Sequence, residues 1–203
     1  MTTPTKPGRK TRAKPVWMAR LLVTLLDVEP AVWRLVQIPA MIPLDKLHDA
    51  IQSVMGWTDS HLHEFIINGV HYGIDDPMGF EDERVVDERR VTLADALGGT
   101  ARTFDYVYDF GDDWHHAITV EAIEPAEEAR PLLYCLAGER ACPPEDVGGA
   151  WGYEEFLEAI GDPEHEEHED MLEWCGSEFD PERFDLQGVN ARLGRIKLKI
   201  RGG

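Results

Sequence analysis

Carboxylates and imidazoles crowd one short stretch of this chain, Asp109-Phe110-Gly111-Asp112-Asp113-Trp114-His115-His116. Oxygen and nitrogen donors concentrated at a rigid turn are what a divalent cation needs, because its ligands must converge to about 2.0–2.5 Å. Asp112, Asp113 and His116 are therefore candidate metal ligands, with zinc or manganese as the expected ion, and Asp109 and Trp114 extend them into a candidate cleft. Side chains alternate along a strand, which puts Asp109 opposite Tyr108 and His115 opposite His116, so the set cannot all share one site. A plainer alternative is that Asp112-Asp113 only closes an Asx-type turn while Trp114 and the tyrosines enter the core.

Other groups stand ready to join them. Pro143-Pro144-Glu145-Asp146 followed by Gly148-Gly149 reads as a stiff loop ending in a flexible pair, able to hold Glu145 or Asp146 against the hairpin tip as ligand or general base. His165 and His168, three apart on a predicted helix, would share one face and are further candidate ligands; the surrounding Glu164, Glu166, Glu167, Glu169 and Asp170 equally describe a solvated acidic helix. Their spacing is not the H-E-x-x-H of zinc proteases. Cys135, Cys142 and Cys175 supply three thiols, one short of a closed zinc site unless a histidine joins, and buried free thiols are the commoner fate. Trp33, Trp57, Trp114, Trp151 and Trp174 are expected in core and seams, although Trp57, near Asp59, His61 and His63, could rim a cleft. No phosphate-binding loop, dinucleotide fingerprint or nucleophile elbow is present.

The elements that must position these residues follow from periodicity. Phe104, Tyr106, Tyr108 and Phe110, then Trp114, His116, Ile118 and Val120, alternate on either side of Gly111-Asp112-Asp113 and predict a central hairpin. Trp17 to Asp27 and Val32 to Ile38 predict an earlier hairpin, Leu44 to Met55 an amphipathic helix stopped by Gly56, and Asn68-Gly69 a type I′ turn between Phe65–Ile67 and Val70–Tyr72. Asp75 to Glu88 is an acidic, weakly patterned loop, expected to be mobile and solvated, and Thr92 caps a short helix. Helices are expected over Tyr153 to Ile160, Pro163 to Cys175 and Leu186 to Leu193, with a basic edge strand at Ile196 to Ile200. The predicted class is α+β: a mixed or antiparallel sheet with a packed helix, a β-grasp-like N-terminal order β-β-α-β, the central hairpin, and a helical C-terminal part.

The 203 residues and 43% hydrophobic content suffice for one core. The net charge of −19 is segregated: residues 1 to 20 hold six basic residues and 192 to 203 five, neither with an acid, leaving nine basic residues against all 39 acids between, about −30. Residues 1–15 are read as a disordered basic arm and 16–203 as a single domain. An acidic body repels a phosphate backbone, so duplex DNA is an unsuitable partner for it, and a protein partner is expected instead. The chain lacks an apolar span or secretory leader and an even cysteine framework, so a cytoplasmic protein without membrane contact is expected.

Several phrases taken together resemble the plasmid pRiA4b ORF-3-like family, also met as the passenger TnpR-type protein of an insertion element. They are Pro30-Ala31-Val32-Trp33-Arg34, Met55-Gly56-Trp57, His61-Leu62-His63-Glu64-Phe65, Tyr106 to Trp114 with His116, Cys142-Pro143-Pro144-Glu145-Asp146, Asp162 to His168, and Phe179-Asp180-Pro181. The resemblance runs from Val16 to Leu193. It implies a binding or accessory protein associated with mobile elements and without a settled activity; a metal-dependent hydrolase built on the Asp/Glu/His residues is the alternative. Relatives commonly carry a further cysteine where this chain has Val147, which leaves a thiol-based zinc site short of a ligand here. The TnpR label suggests a resolvase, but the chain shows no serine-recombinase pattern and its body carries the wrong charge for DNA.

Overall fold

The computed structural model describes residues 15–74, 85–126, 131–176 and 178–198. The basic arm, but for Pro15, and most of the acidic loop after Ile74 lie outside these residues. The first two strands, β1 (Trp17–Leu25) and β2 (Trp33–Pro39), form an antiparallel hairpin with Leu22 opposite Leu35. Their period-two alternation buries Ala19, Leu21, Val23 and Leu25 from one strand and Val36 and Ile38 from the other.

Helix α1 (Leu44–Met55) lays Leu44, Leu47, Ile51, Val54 and Met55 inward, the i, i+3, i+4 spacing seen in the sequence. It stops at Gly56, whose φ of 112° is open to glycine and strained for other residues. The next hairpin, β3 (His63–Ile67) and β4 (Val70–Gly73), turns through Asn68 and Gly69 with φ of 53° and 74°, the positive pair a type I′ turn requires. A short strand β5 (Val86–Asp87) adds in parallel to β4 and leads through a 3-10 turn at Glu88–Arg90 to α2 (Leu93–Leu97), capped by the Thr92 hydroxyl accepting from the Asp95 N–H.

The central hairpin joins β6 (Thr103–Tyr108) to β7 (Trp114–Pro125), and β8 (Tyr134–Glu139) closes the far edge. Among the described residues eight strands run β5-β4-β3-β6-β7-β1-β2-β8, so the central hairpin bridges the two earlier hairpins, and of their pairings only β4–β5 is parallel. Three helices follow: α3 (Gly149–Gly161), α4 (His168–Trp174) and α5 (Leu186–Leu193). Helix α5 is tied to β8 by one side chain: the Asn190 amide accepts from the Cys135 N–H at 2.8 Å and donates to the Cys135 carbonyl at 3.0 Å, as a neighbouring strand would. The class is α+β, with the predicted β-β-α-β start and helical C-terminal part.

Local expectations differ in five places. Phe110 is 55% exposed, because β6 ends at Tyr108 and Asp109 to Asp113 form a turn with positive φ at both ends, breaking the alternation. Helix α4 begins only at His168, Pro163 to Glu167 being turns, and of the expected edge strand Ile196 to Leu198 form none, Lys199 and Ile200 lying outside the described residues. Glu88, at the end of the acidic loop, is buried rather than solvated. Trp57 and Trp114 are core, but Trp151 and Trp174 are exposed at 72% and 49%.

Candidate functional site

Four loops and strand ends converge beside the central hairpin. The segment after α1 carries Trp57 through Leu62; the Trp57 indole N–H donates to the Pro143 carbonyl at 3.0 Å and so fastens this segment to the Pro-Pro-Glu-Asp loop. That loop delivers Glu145, whose Oε1 accepts from the Thr58 N–H at 2.7 Å and whose two oxygens lie 3.2 and 3.1 Å from the Tyr108 hydroxyl. Burial pushes the Tyr108 hydroxyl well up, with the Glu145 charge adding to the effect, so the tyrosine is a donor at neutral pH.

His61 occupies the middle. Its Nε2 lies 3.0 Å from Asp146 Oδ1, 3.6 Å from Asp109 Oδ2 and 3.9 Å from Glu145 Oε2. The ring nitrogen is itself buried and makes no hydrogen bond. Ligand atoms about 2.1 Å from a tetrahedral ion stand roughly 3.4 Å apart, and the three distances bracket that value. The ligand atoms of His61, Asp109 and Asp146 all lie within 4.8 Å of one another. Asp109 is 7% exposed, and its other oxygen accepts from the Gly111 N–H at 2.9 Å, which aims the carboxylate at His61. One imidazole with two or three carboxylates is a donor set for zinc or manganese.

A second polar cluster lies deeper. His48 and His63 stack with ring centroids 3.4 Å apart and planes 6° from parallel. His48 bonds Asp59 at 2.8 Å and the Tyr106 hydroxyl at 2.8 Å, while His63 bonds the buried Glu88 at 2.9 Å. With Asp59 these atoms also fall within 4.8 Å of one another. Imidazole lone pairs lie in the ring plane, however, and an ion shared by the two parallel rings would sit about 1.7 Å out of each plane on bonds of about 2.1 Å. The stack is therefore a hydrogen-bonded brace: His48 holds Asp59, two residues before His61.

The structure divides the residues singled out in the sequence. Asp109, Glu145 and Asp146 meet at the centre around His61, a residue the sequence placed only at a cleft rim. Asp112 instead accepts from the Gly148 N–H at 3.1 Å, at the amino end of α3, where a carboxylate is favoured by the helix dipole. Asp113 pairs with His115 at 2.9 Å on the surface. Trp114 and His116 are core residues; His116 is fully buried, its Nδ1 donating toward the Trp114 and Tyr106 carbonyls, and burial holds its pKa down at about 4. His165 lies in a turn and accepts from the Glu167 N–H, and His168 donates to the Ala159 carbonyl at 2.9 Å, so both serve the α3–α4 connection. Neither belongs to a metal-type cluster among the described residues. All three cysteines are free, and none joins such a cluster. Burial pushes the Cys135 thiol up to about 11 and Cys142 further.

Fold and site together define a single-sheet α+β protein with a histidine–carboxylate centre at one sheet end. The chain matches the family described as plasmid pRiA4b ORF-3-like protein over residues 18–188, and it belongs to that family. It is 44% identical over 185 residues to the uncharacterised protein y4hQ of Sinorhizobium fredii strain NGR234, covering 90% of this chain and 93% of that one. It is also similar to the crystal structure of MM3350, a protein of unknown function from Methanosarcina mazei Go1, with a TM-score of 0.78 and 38% identity over 86% of this chain and 98% of that one. Among the described residues no helix is long and apolar enough to cross a membrane.

Proposed function

We propose that this protein is a binding or accessory module whose working site is a divalent-cation centre formed by His61, Asp109 and Asp146 with Glu145 alongside. The observation that carries the reading is the buried His61 Nε2, which makes no hydrogen bond although three carboxylate oxygens surround it at 3.0 to 3.9 Å. A nitrogen so placed is costly without a partner, and a cation would supply one. The plasmid origin in the family's description supports an accessory role on mobile elements. Residues 21–191 carry a charge of about −30, which favours a protein partner in the cytoplasm over duplex DNA.

The test is a calorimetric titration of metal-free protein with zinc and with manganese, alongside His61→Ala and Asp109→Asn. Saturable binding by the wild type, lost or at least tenfold weaker in both variants, is the expected outcome. No heat of binding with either ion would refute the centre.

A metal-dependent hydrolase is the second reading, favoured by the position of Glu145. Its carboxylate, anchored by Thr58 and Tyr108, stands between the centre and an adjoining cleft of about 430 Å³, where a general base acting on metal-bound water belongs. Metal-dependent ester or phosphoester cleavage that Glu145→Gln abolishes while saturable metal binding is retained would establish it.

A further inference from the structure

A buried cation lines the cleft beside Glu145. Arg34, on β2, is 1% exposed. Its guanidinium donates to four backbone carbonyls: Val54 at 2.9 Å, Trp33 at 2.8 Å, Glu139 at 2.7 Å and Arg140 at 2.8 Å. The Phe184 ring covers one face at 4.3 Å. Position 138 is glycine for this reason, since a Cβ there would come within 2.7 Å of the Phe184 ring and 2.9 Å of Arg34 Cδ.

A guanidinium carries five N–H donors, and four are used, which leaves one on Nη2. No carboxylate pairs with Arg34 among the described residues, although the chain carries 39 acids. The neighbouring thiols of Cys142 and Cys135 are held protonated by burial and bring no negative charge. The carbonyl of Val54, in the last turn of α1, offsets part of the charge through the helix dipole. A buried cation without an anion is otherwise costly, and a ligand anion in the cleft would relieve that cost.

The rest of the lining describes the body of the ligand. Met55, Trp57, Phe179 and Val189 give an apolar wall, while Glu178, Asp180 and Asp185 stand at the rim with Arg183 and Arg192. Rim carboxylates oppose a phosphate dianion more than a monoanion. The volume of about 430 Å³ suits a small molecule. We infer that this cleft is a binding site for a small aryl or branched-alkyl carboxylic acid, its carboxylate accepting from the free Arg34 N–H and its apolar body lying against Trp57 and Phe179. The site does not depend on the cation centre, and it is tested in the presence of a chelator so that failure of one leaves the other standing.

The experiment titrates the full chain, in EDTA, with phenylacetate, 2-phenylethanol and inorganic phosphate. The readouts are the melting temperature and the side-chain Nε–H signal of Arg34 in ¹⁵N-arginine-labelled protein, assigned through its proximity to the Phe184 ring protons. Phenylacetate is expected to saturate and to shift the Arg34 signal, with the neutral alcohol and phosphate each binding at least tenfold more weakly. Arg34→Gln should lose at least tenfold in phenylacetate affinity; because that variant removes buried hydrogen bonds and can fail to fold, the wild-type comparison decides. Equal binding of acid and alcohol, tighter binding of phosphate, or an Arg34 signal unmoved at saturation would each overturn the inference.

Discussion

Acidification should destabilise this protein through one buried imidazole. His116 is fully buried between Trp57 and Tyr106, with ring centroids 5.3 Å from each, and its pKa falls from 6.5 to about 4 because the charged form is desolvated. Above pH 6.5 the ring is neutral whether the chain is folded or unfolded, and it adds no pH dependence. Between 6.5 and about 4 the unfolded chain takes up a proton that the native state refuses, so stability falls as pH falls; below 4 both states are charged and the loss is complete. A shift of about 2.5 units at about 1.36 kcal/mol each amounts to roughly 3 kcal/mol. His116→Gln keeps an amide that can donate to the Trp114 carbonyl and removes the titration. Urea unfolding of both proteins from pH 7 to 4 measures it: the variant should start less stable, yet lose about 3 kcal/mol less than the wild type across the range. His48, also held low by burial and by His63, has the same sign but is common to both proteins and cancels. Parallel stability curves for the two proteins would refute the assignment.

Three further outcomes follow from packing and burial. Gly152→Ala would drive a Cβ into the Val147 carbonyl oxygen, a backbone atom, and should cost about 1–3 kcal/mol, seen as a drop in melting temperature of several degrees. Asn190→Ala removes both hydrogen bonds to Cys135 and should cost about 2 kcal/mol by chemical denaturation, loosening α5 and β8 first in hydrogen exchange. Cys135 should resist iodoacetamide at pH 8 in the native protein and react on unfolding, as mass spectrometry would show; rapid native labelling would contradict its burial.

The elements were legible because their causes are local. Alternation in Leu21, Val23 and Leu25, the helical spacing of Leu44, Leu47 and Ile51, the Asn68-Gly69 turn and the Thr92 cap each depend on neighbours within a few residues. The errors occur where that short-range logic ends: alternation ran past Tyr108 into a turn that exposes Phe110, and a helical pattern ran back past His168 through turns built by Asp162 and His165.

The composition of a site was likewise visible, but its membership was not. Asp109, Glu145 and Asp146 were singled out as donors by residue type, whereas Asp112, His116, His165 and His168, equally suitable by type, are engaged in a helix end, a core and a loop. His61 became central only when the Trp57–Pro143 hydrogen bond brought two loops together across 86 positions of sequence. Arg34 offered no signal at all, since its isolation from the carboxylates of the described residues is a property of where β2 lies against α1 and β8. Residue chemistry and local conformation are set by covalent structure and near neighbours, so the sequence alone determines them. Which donors converge within the few ångströms of a ligand sphere depends on the sheet order β3-β6-β7-β1-β2, and only the packed tertiary structure decides that.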